Sequence, residues 1–192
     1  DICLWGLGEP GLPRLVISTG GKYLYRDDQE TPNTQLATFE YDDFQIVFGV
    51  RGMPTGSEAD LQADANGNVV GNLFFGEDGY LAVNPAGFSI FKGAKREKVL
   101  DVRAKGRDDG YDGPAHFATF LQAVRSRDPK DLTANAKVGV TAAALCHLAN
   151  ISYRLGRKLA VDSANWAFVG DAEANRMLTR DYRAPYIVPA VV

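Results

Sequence analysis

The sequence predicts an α+β fold, and two observations carry that prediction. Residues up to about Arg103 read as strands, rich in β-branched and aromatic side chains and broken by short polar turns. The remainder repeats at helical spacing. Strands first and helices later indicate α+β, whereas a parallel sheet would need strands and helices in alternation.

Each element has a local cause. Arg14 to Tyr25 is a strand with Gly20-Gly21 as a bulge or bend, followed by a polar loop from Arg26 to Asn33. Thr34 to Tyr41 and Phe44 to Arg51 form a hairpin turned at Asp42-Asp43, and a Gly/Ser/Asp/Asn-rich loop runs from Gly52 to Asn68. Strands resume at Val69 to Phe75 and Tyr80 to Val83, joined by Glu77-Asp78-Gly79 with Gly79 expected at positive φ. Gly87 to Lys92 and Lys98 to Val102 are shorter strands.

The first helix is capped by Asp112 or Gly113, has Pro114 in its first turn, and ends at Asp128-Pro129. Phe117, Phe120, Leu121 and Val124 make its apolar stripe. A second helix runs from Asn135 to Leu155 with Gly156 as its C-cap. It is apolar nearly all round, which predicts a buried helix against the sheet. Lys158 to Val161 reads as a short strand, Asp171 to Leu178 as a helix capped by Asp171, and Tyr182 to Val192 as an extended tail broken by two prolines.

Composition bounds the function. The chain has 192 residues, 45% hydrophobic and 23% charged, with a net charge of −3. No basic stripe suits nucleic acid. No apolar run reaches the roughly 18 residues of a membrane span. Cys3 and Cys146 match no metal or redox spacing and read as buried thiols, so the compartment is open: a cytoplasmic or an exported protein. The apolar start, Asp1-Ile2-Cys3-Leu4-Trp5, reads as an internal point of a longer polypeptide.

The motifs are weak by themselves. Gly6-Leu7-Gly8-Glu9-Pro10-Gly11 matches G-x-G-x-x-G, yet it leads into a strand, and Pro10 removes an amide that a pyrophosphate would need. Asp108 to Gly113 resembles half a calcium loop but lacks the distal bidentate Glu. His116 and His147 have no ligand-spaced partners. His147, Asn150 and Arg154 share one helix face that lines a cleft, satisfies buried backbone groups or lines a domain interface. Asn150-Ile151-Ser152 is a glycosylation match inside a helix. The carboxylate pairs all sit in turns, where Asp serves the backbone.

Four stretches in order go further. They are Gly20 to Gln35, Gly71 to Leu81, His116 to Arg127, and Leu145 to Arg157 combined with Gly170 to Asn175. Together they resemble the C-terminal domain of bacterial Gfo/Idh/MocA oxidoreductases. The resemblance implies an open, mainly antiparallel sheet with helices packed on one face, residues 1–192 forming a single substrate-binding and oligomerisation domain with a tail over residues 180–192. It implies NAD or NADP on an N-terminal Rossmann domain outside this chain, and no cofactor bound by the chain itself. The family's catalytic lysine lies in that other domain, and its Asp and His just before a segment that Asp1 to Trp5 resembles. No catalytic residue carries over, and no metal is implied. The reaction implied for the whole protein is hydride transfer between a carbinol carbon and nicotinamide, on a small sugar-like substrate.

Three residues are candidates to face that substrate. Arg51 ends a strand opposite the Phe44/Ile46/Phe48/Val50 face, His116 sits in a first helical turn, and Asp1 matches an acidic residue beside the family's catalytic pair. Both sheet faces carry apolar residues, which predicts a homo-oligomer through one of them. Two other readings stand: a carbohydrate-binding or scaffold module of the same fold without chemistry, and an unrelated α+β hydrolase, which would need a Ser/His/acid cluster.

Overall fold

A computed structural model describes residues 1–53, 56–63, 67–103, 113–132 and 134–188. The elements in order are α1 (Ile2–Gly6), β1 (Leu15–Gly21), β2 (Thr34–Glu40), β3 (Gln45–Arg51), β4 (Asn72–Gly76), β5 (Gly79–Asn84), β6 (Gly87–Lys92), β7 (Glu97–Arg103), α2 (Gly113–Ser126), α3 (Ala136–Leu155), β8 (Leu159–Asp162), β9 (Ala167–Phe168) and α4 (Ala172–Arg176). A 3-10 turn, Pro129–Asp131, follows α2. The α+β class with antiparallel pairing is observed, and the strands are shared between two sheets. Two compact units contain them: Asp1–Gly6 with Arg51–Ala136, and Leu7–Val50 with Lys137–Val192. Among the described residues no helix is long and apolar enough to cross a membrane.

In the second unit the sheet order is β3-β2-β1-β8-β9. β1 pairs with β2 along its whole length, from Leu15 opposite Glu40 to Gly21 opposite Thr34. The pleat sends Val16, Ala37 and Phe39 inward and leaves Ile17 and Leu36 exposed. Leu148, Ala149 and Ile151 of α3 join Val16, Ala37, Phe39, Leu159 and Val161 in one buried cluster. Full burial of each large side chain there contributes about 1.5–3 kcal/mol. Gly20 and Gly21 stay paired in β1 and form no bulge. Gly20 is needed because a Cβ would lie 2.4 Å from the Thr34 carbonyl oxygen across the ladder.

The helix α3 is buried on one side and not all round: Val140 is 55% exposed, and Cys146 is exposed rather than a buried thiol. The Ala-rich sequence favours helix in water as well as in a core, so its apolar character does not require burial. Cys3 is partly buried, and that burial pushes its thiol pKa up. Gly156 ends α3 at φ 65°, its N–H donating to the Ser152 carbonyl at 2.9 Å.

Side chains extend the backbone ladders of this unit. β8 pairs with β1 only at Leu15 and Val16. Beyond them the Ser18 N–H donates to Ser152 Oγ at 2.9 Å, and Ser152 Oγ donates to the Arg157 carbonyl at 2.8 Å. The Asn175 amide acts similarly, accepting from the Phe168 N–H and donating to the Phe168 carbonyl, both at 2.8 Å. Buried Asn33 does the same for Tyr23, at 3.0 and 2.8 Å. Asp171 caps α4 through the Ala174 N–H and forks onto Arg157.

In the first unit β4-β5-β6-β7 form a meander in sequence order. The Glu77-Asp78 turn is as expected, but Gly79 does not take positive φ. Glycine is required there for close approach: a Cβ would sit 2.0 Å from the Phe91 carbonyl oxygen. Leu61, Ala82 and Phe91 form a small core with Val69, Leu73 and Tyr80 against it. The α2 stripe predicted from Phe117, Phe120, Leu121 and Val124 forms, and all four residues are exposed in this chain. Asp112, offered as a cap, and most of the Asp108 to Gly113 stretch lie outside the described residues.

Candidate functional site

The meander register sets Phe75 opposite Tyr80, Tyr80 opposite Phe91, and Phe91 opposite Lys98. Directly paired residues share a sheet face, so the three rings form a row. Phe75 and Tyr80 have centroids 5.5 Å apart, and Tyr80 and Phe91 stack at 4.7 Å with planes 8° apart. The Arg96 guanidinium lies 5.7 Å from the Tyr80 ring centre, and Lys98 Nζ lies 5.5 Å from that of Phe91. Phe75, at the row's end, is 72% exposed.

The described part of the Gly52 to Asn68 loop meets this row. Glu58 and Leu61 bridge through their main chains at 2.9 and 3.0 Å, and Leu61 is 6% exposed in the small core. That anchor holds Asp60 where the Tyr80 hydroxyl donates to its carboxylate. The bond and the charge of Asp60, with desolvation, raise the Tyr80 phenol pKa, while Arg96 opposes the shift. Glu58 in turn accepts from Arg51 at the end of β3. An exposed ion pair contributes about 0–1 kcal/mol, so this one orients its side chains more than it stabilises the unit. The cluster Arg51, Glu58, Asp60, Tyr80 and Arg96 thus offers two carboxylate acceptors and two guanidinium donors beside an exposed ring face. Such a set hydrogen-bonds hydroxyls while a ring covers C–H surface.

Of the three candidates read from the sequence, Arg51 enters this cluster. His116 is exposed on α2, its ring edge-on to Phe117 at 5.9 Å, and its carbonyl accepts from Thr119 Oγ1. Asp1 is exposed, and its carbonyl accepts the Trp5 N–H that closes α1. Among the described residues no hydrogen bond or ion pair joins either of them to Arg51. On α3, His147 and Arg154 are exposed, and Arg154 Nε reaches Asn150 Oδ1 at 3.4 Å. Sequence reasoning missed Glu58, Asp60 and Tyr80. A signal existed for Tyr80: Phe75 and Tyr80 lie equally far from the Glu77-Asp78 turn, so a two-residue hairpin must pair them.

The glycine run does not fit a dinucleotide. The short α1 ends at Gly6, Gly8 and Gly11 take φ of 75° and 76°, and the chain then enters β1, so the run does not open a helix whose N-terminus could hold a phosphate.

Residues 83–188, more than half of the chain, match the family described as "Oxidoreductase family, C-terminal alpha/beta domain", and the chain belongs to this Gfo/Idh/MocA family. The match begins beyond Arg51, Asp60 and Tyr80 and includes His116. A provisionally named oxidoreductase from Klebsiella pneumoniae shares the fold at a TM-score of 0.55 and 12% identity, over 82% of this chain and 46% of that one. A second, YvaA from Bacillus subtilis, gives 0.56 and 12%, over 84% of this chain and 49% of its own. The chain therefore spans about half the length of these solved structures. None of the curated proteins matches it.

Proposed function

We propose that residues 1–192, with a tail over residues 180–192, are the substrate-cleft and self-association domain of an NAD(P)-dependent oxidoreductase acting on a sugar or polyol derivative. The observation that carries this reading is the Arg51–Glu58 pair and the Asp60–Tyr80 bond, set beside the Phe75–Tyr80–Phe91 row. These groups bind and orient a hydroxylated skeleton. The nicotinamide cofactor and the catalytic lysine belong to the N-terminal Rossmann domain, and this chain's residues position the substrate for it.

Self-association is supported by the outer face of the five-stranded sheet. Ile17, Leu36 and Val47 are 38, 52 and 59% exposed there, an apolar patch that a second copy would cover. The same binding groups also favour a second reading, a carbohydrate-binding module without turnover.

Calorimetric titration of the whole natural polypeptide with neutral polyols tests the cleft. Saturable binding that Asp60→Asn and Tyr80→Ala both weaken about tenfold supports it. Binding indifferent to both substitutions would place the ligand elsewhere. Light scattering tests the interface, with Leu36→Asp expected to yield monomers and an unchanged mass contradicting it.

A further inference from the structure

The C-terminal segment carries a second cluster of charged and aromatic side chains. Arg180, Asp181, Tyr182, Arg183 and Tyr186, all exposed, line an open surface hollow of about 320 Å3. The Arg180 guanidinium carbon lies 5.8 Å from the Tyr182 ring centre, and that of Arg183 lies 5.7 Å from the Tyr186 ring centre. The Tyr186 N–H donates to the Arg183 carbonyl at 2.8 Å and the Ile187 N–H to the Pro185 carbonyl at 3.0 Å, so a turn brings the two arginine–tyrosine pairs together. Among the described residues neither guanidinium pairs with a carboxylate.

We infer that this cup is a binding site for a small hydroxylated oxyanion, a sugar phosphate or a sugar acid. A guanidinium attracted to an aromatic face still has its in-plane N–H fork, which matches two oxygens of a phosphate or carboxylate. Both arginines and both tyrosines line the same hollow. The lining carries two positive charges and one negative charge, a net excess of one that selects an anion. Asp181 repels a bare anion and accepts from hydroxyls, so the ligand carries hydroxyls beside its oxyanion.

Calorimetry on the whole natural polypeptide tests this with inorganic phosphate, glucose 6-phosphate, gluconate and neutral glucose. Glucose 6-phosphate or gluconate binds saturably, and the tighter of the two identifies the oxyanion as phosphate or carboxylate. Glucose does not compete, and inorganic phosphate binds more weakly than the preferred ligand. Arg180→Gln and Arg183→Gln each weaken binding about tenfold. Asp181→Asn weakens the hydroxylated ligand and leaves phosphate unchanged or tighter. Circular dichroism verifies the fold of each variant. In the unsubstituted protein, phenylglyoxal modification of Arg180 and Arg183, read by mass spectrometry, slows when the ligand is present. No binding of any anion at millimolar concentration overturns the site, as does binding that survives both arginine substitutions. Equal affinity for phosphate and both sugar anions overturns the ligand class.

Discussion

Ser152 Oγ accepts the main-chain N–H of Ser18 at 2.9 Å, a bond that spans 134 positions and fixes α3 against β1 where β8 has ended. Ser152 is fully buried, and its own proton goes to the Arg157 carbonyl. Ser152→Ala leaves one buried donor and one carbonyl unsatisfied, and the expected loss is about 2 kcal/mol. A urea denaturation series reads this as a lower midpoint at unchanged slope. No shift in midpoint would show that water replaces the hydroxyl.

Asn33 fixes the loop from Lys22 onward by holding both main-chain groups of Tyr23. Lys22 adds to the closure, donating to the Asp27 carbonyl at 2.8 Å and pairing with the Asp27 carboxylate. Asn33→Ala removes both bonds, so the Tyr23 N–H loses its acceptor while the Tyr23 carbonyl keeps the Tyr25 N–H at 2.9 Å. Hydrogen exchange at the Tyr23 amide is expected to accelerate about tenfold or more, with the β1–β2 amides unaffected. Equal rates would mean that Lys22 alone closes the loop.

Asp171 is held below the usual carboxylate range first by the Ala174 N–H and then by Arg157, against the opposing effect of burial. A depressed carboxylate contributes stability above its unfolded pKa, about 3.9, and loses it as pH falls through the lower folded value. Asp171→Asn retains a good N-cap and removes the negative charge that faces Arg157. Wild type is therefore expected to be more stable at neutral pH, with the difference closing as pH falls below the carboxylate range. Thermal melts across that range measure it, and a difference that persisted in strong acid would contradict the charge argument.

Gly79→Ala places a methyl group 2.0 Å from the position of the Phe91 carbonyl oxygen, so β5 and β6 must separate. Overpacking of this kind costs about 1–3 kcal/mol. Because Tyr80 is the next residue, the Tyr80–Phe91 stack should loosen too. The expected result is a lower melting temperature with reduced polyol binding, read on the same samples.

What the sequence made legible was local. The Asp42-Asp43 turn, the opposed sides of Phe39 and Leu36, the Gly156 cap and the Asp171 cap each follow from a few neighbouring residues. The allotment of strands to two sheets depends on pairings among distant segments, which period and propensity do not encode. Ser152, Asn33 and Asn175 read as ordinary polar residues, because their partners are main-chain groups chosen by the fold. Asp60 sits in a stretch that composition marks as a loop, and only the burial of Leu61 brings it to Tyr80. The five-residue helix α1 read only as an apolar run, since one turn carries no periodicity.

In the function proposed above, Asp60 and Tyr80 orient a polyol for oxidation or reduction on a nicotinamide held by another domain. Steady-state kinetics of the whole natural polypeptide with NAD or NADP, over a panel of sugars and polyols, tests it most directly. Turnover is expected on at least one of them, with Asp60→Asn raising KM about tenfold and changing kcat little, as expected for lost binding shared by ground and transition states. Absence of turnover across the panel, or a KM indifferent to Asp60→Asn and Tyr80→Phe, would contradict it.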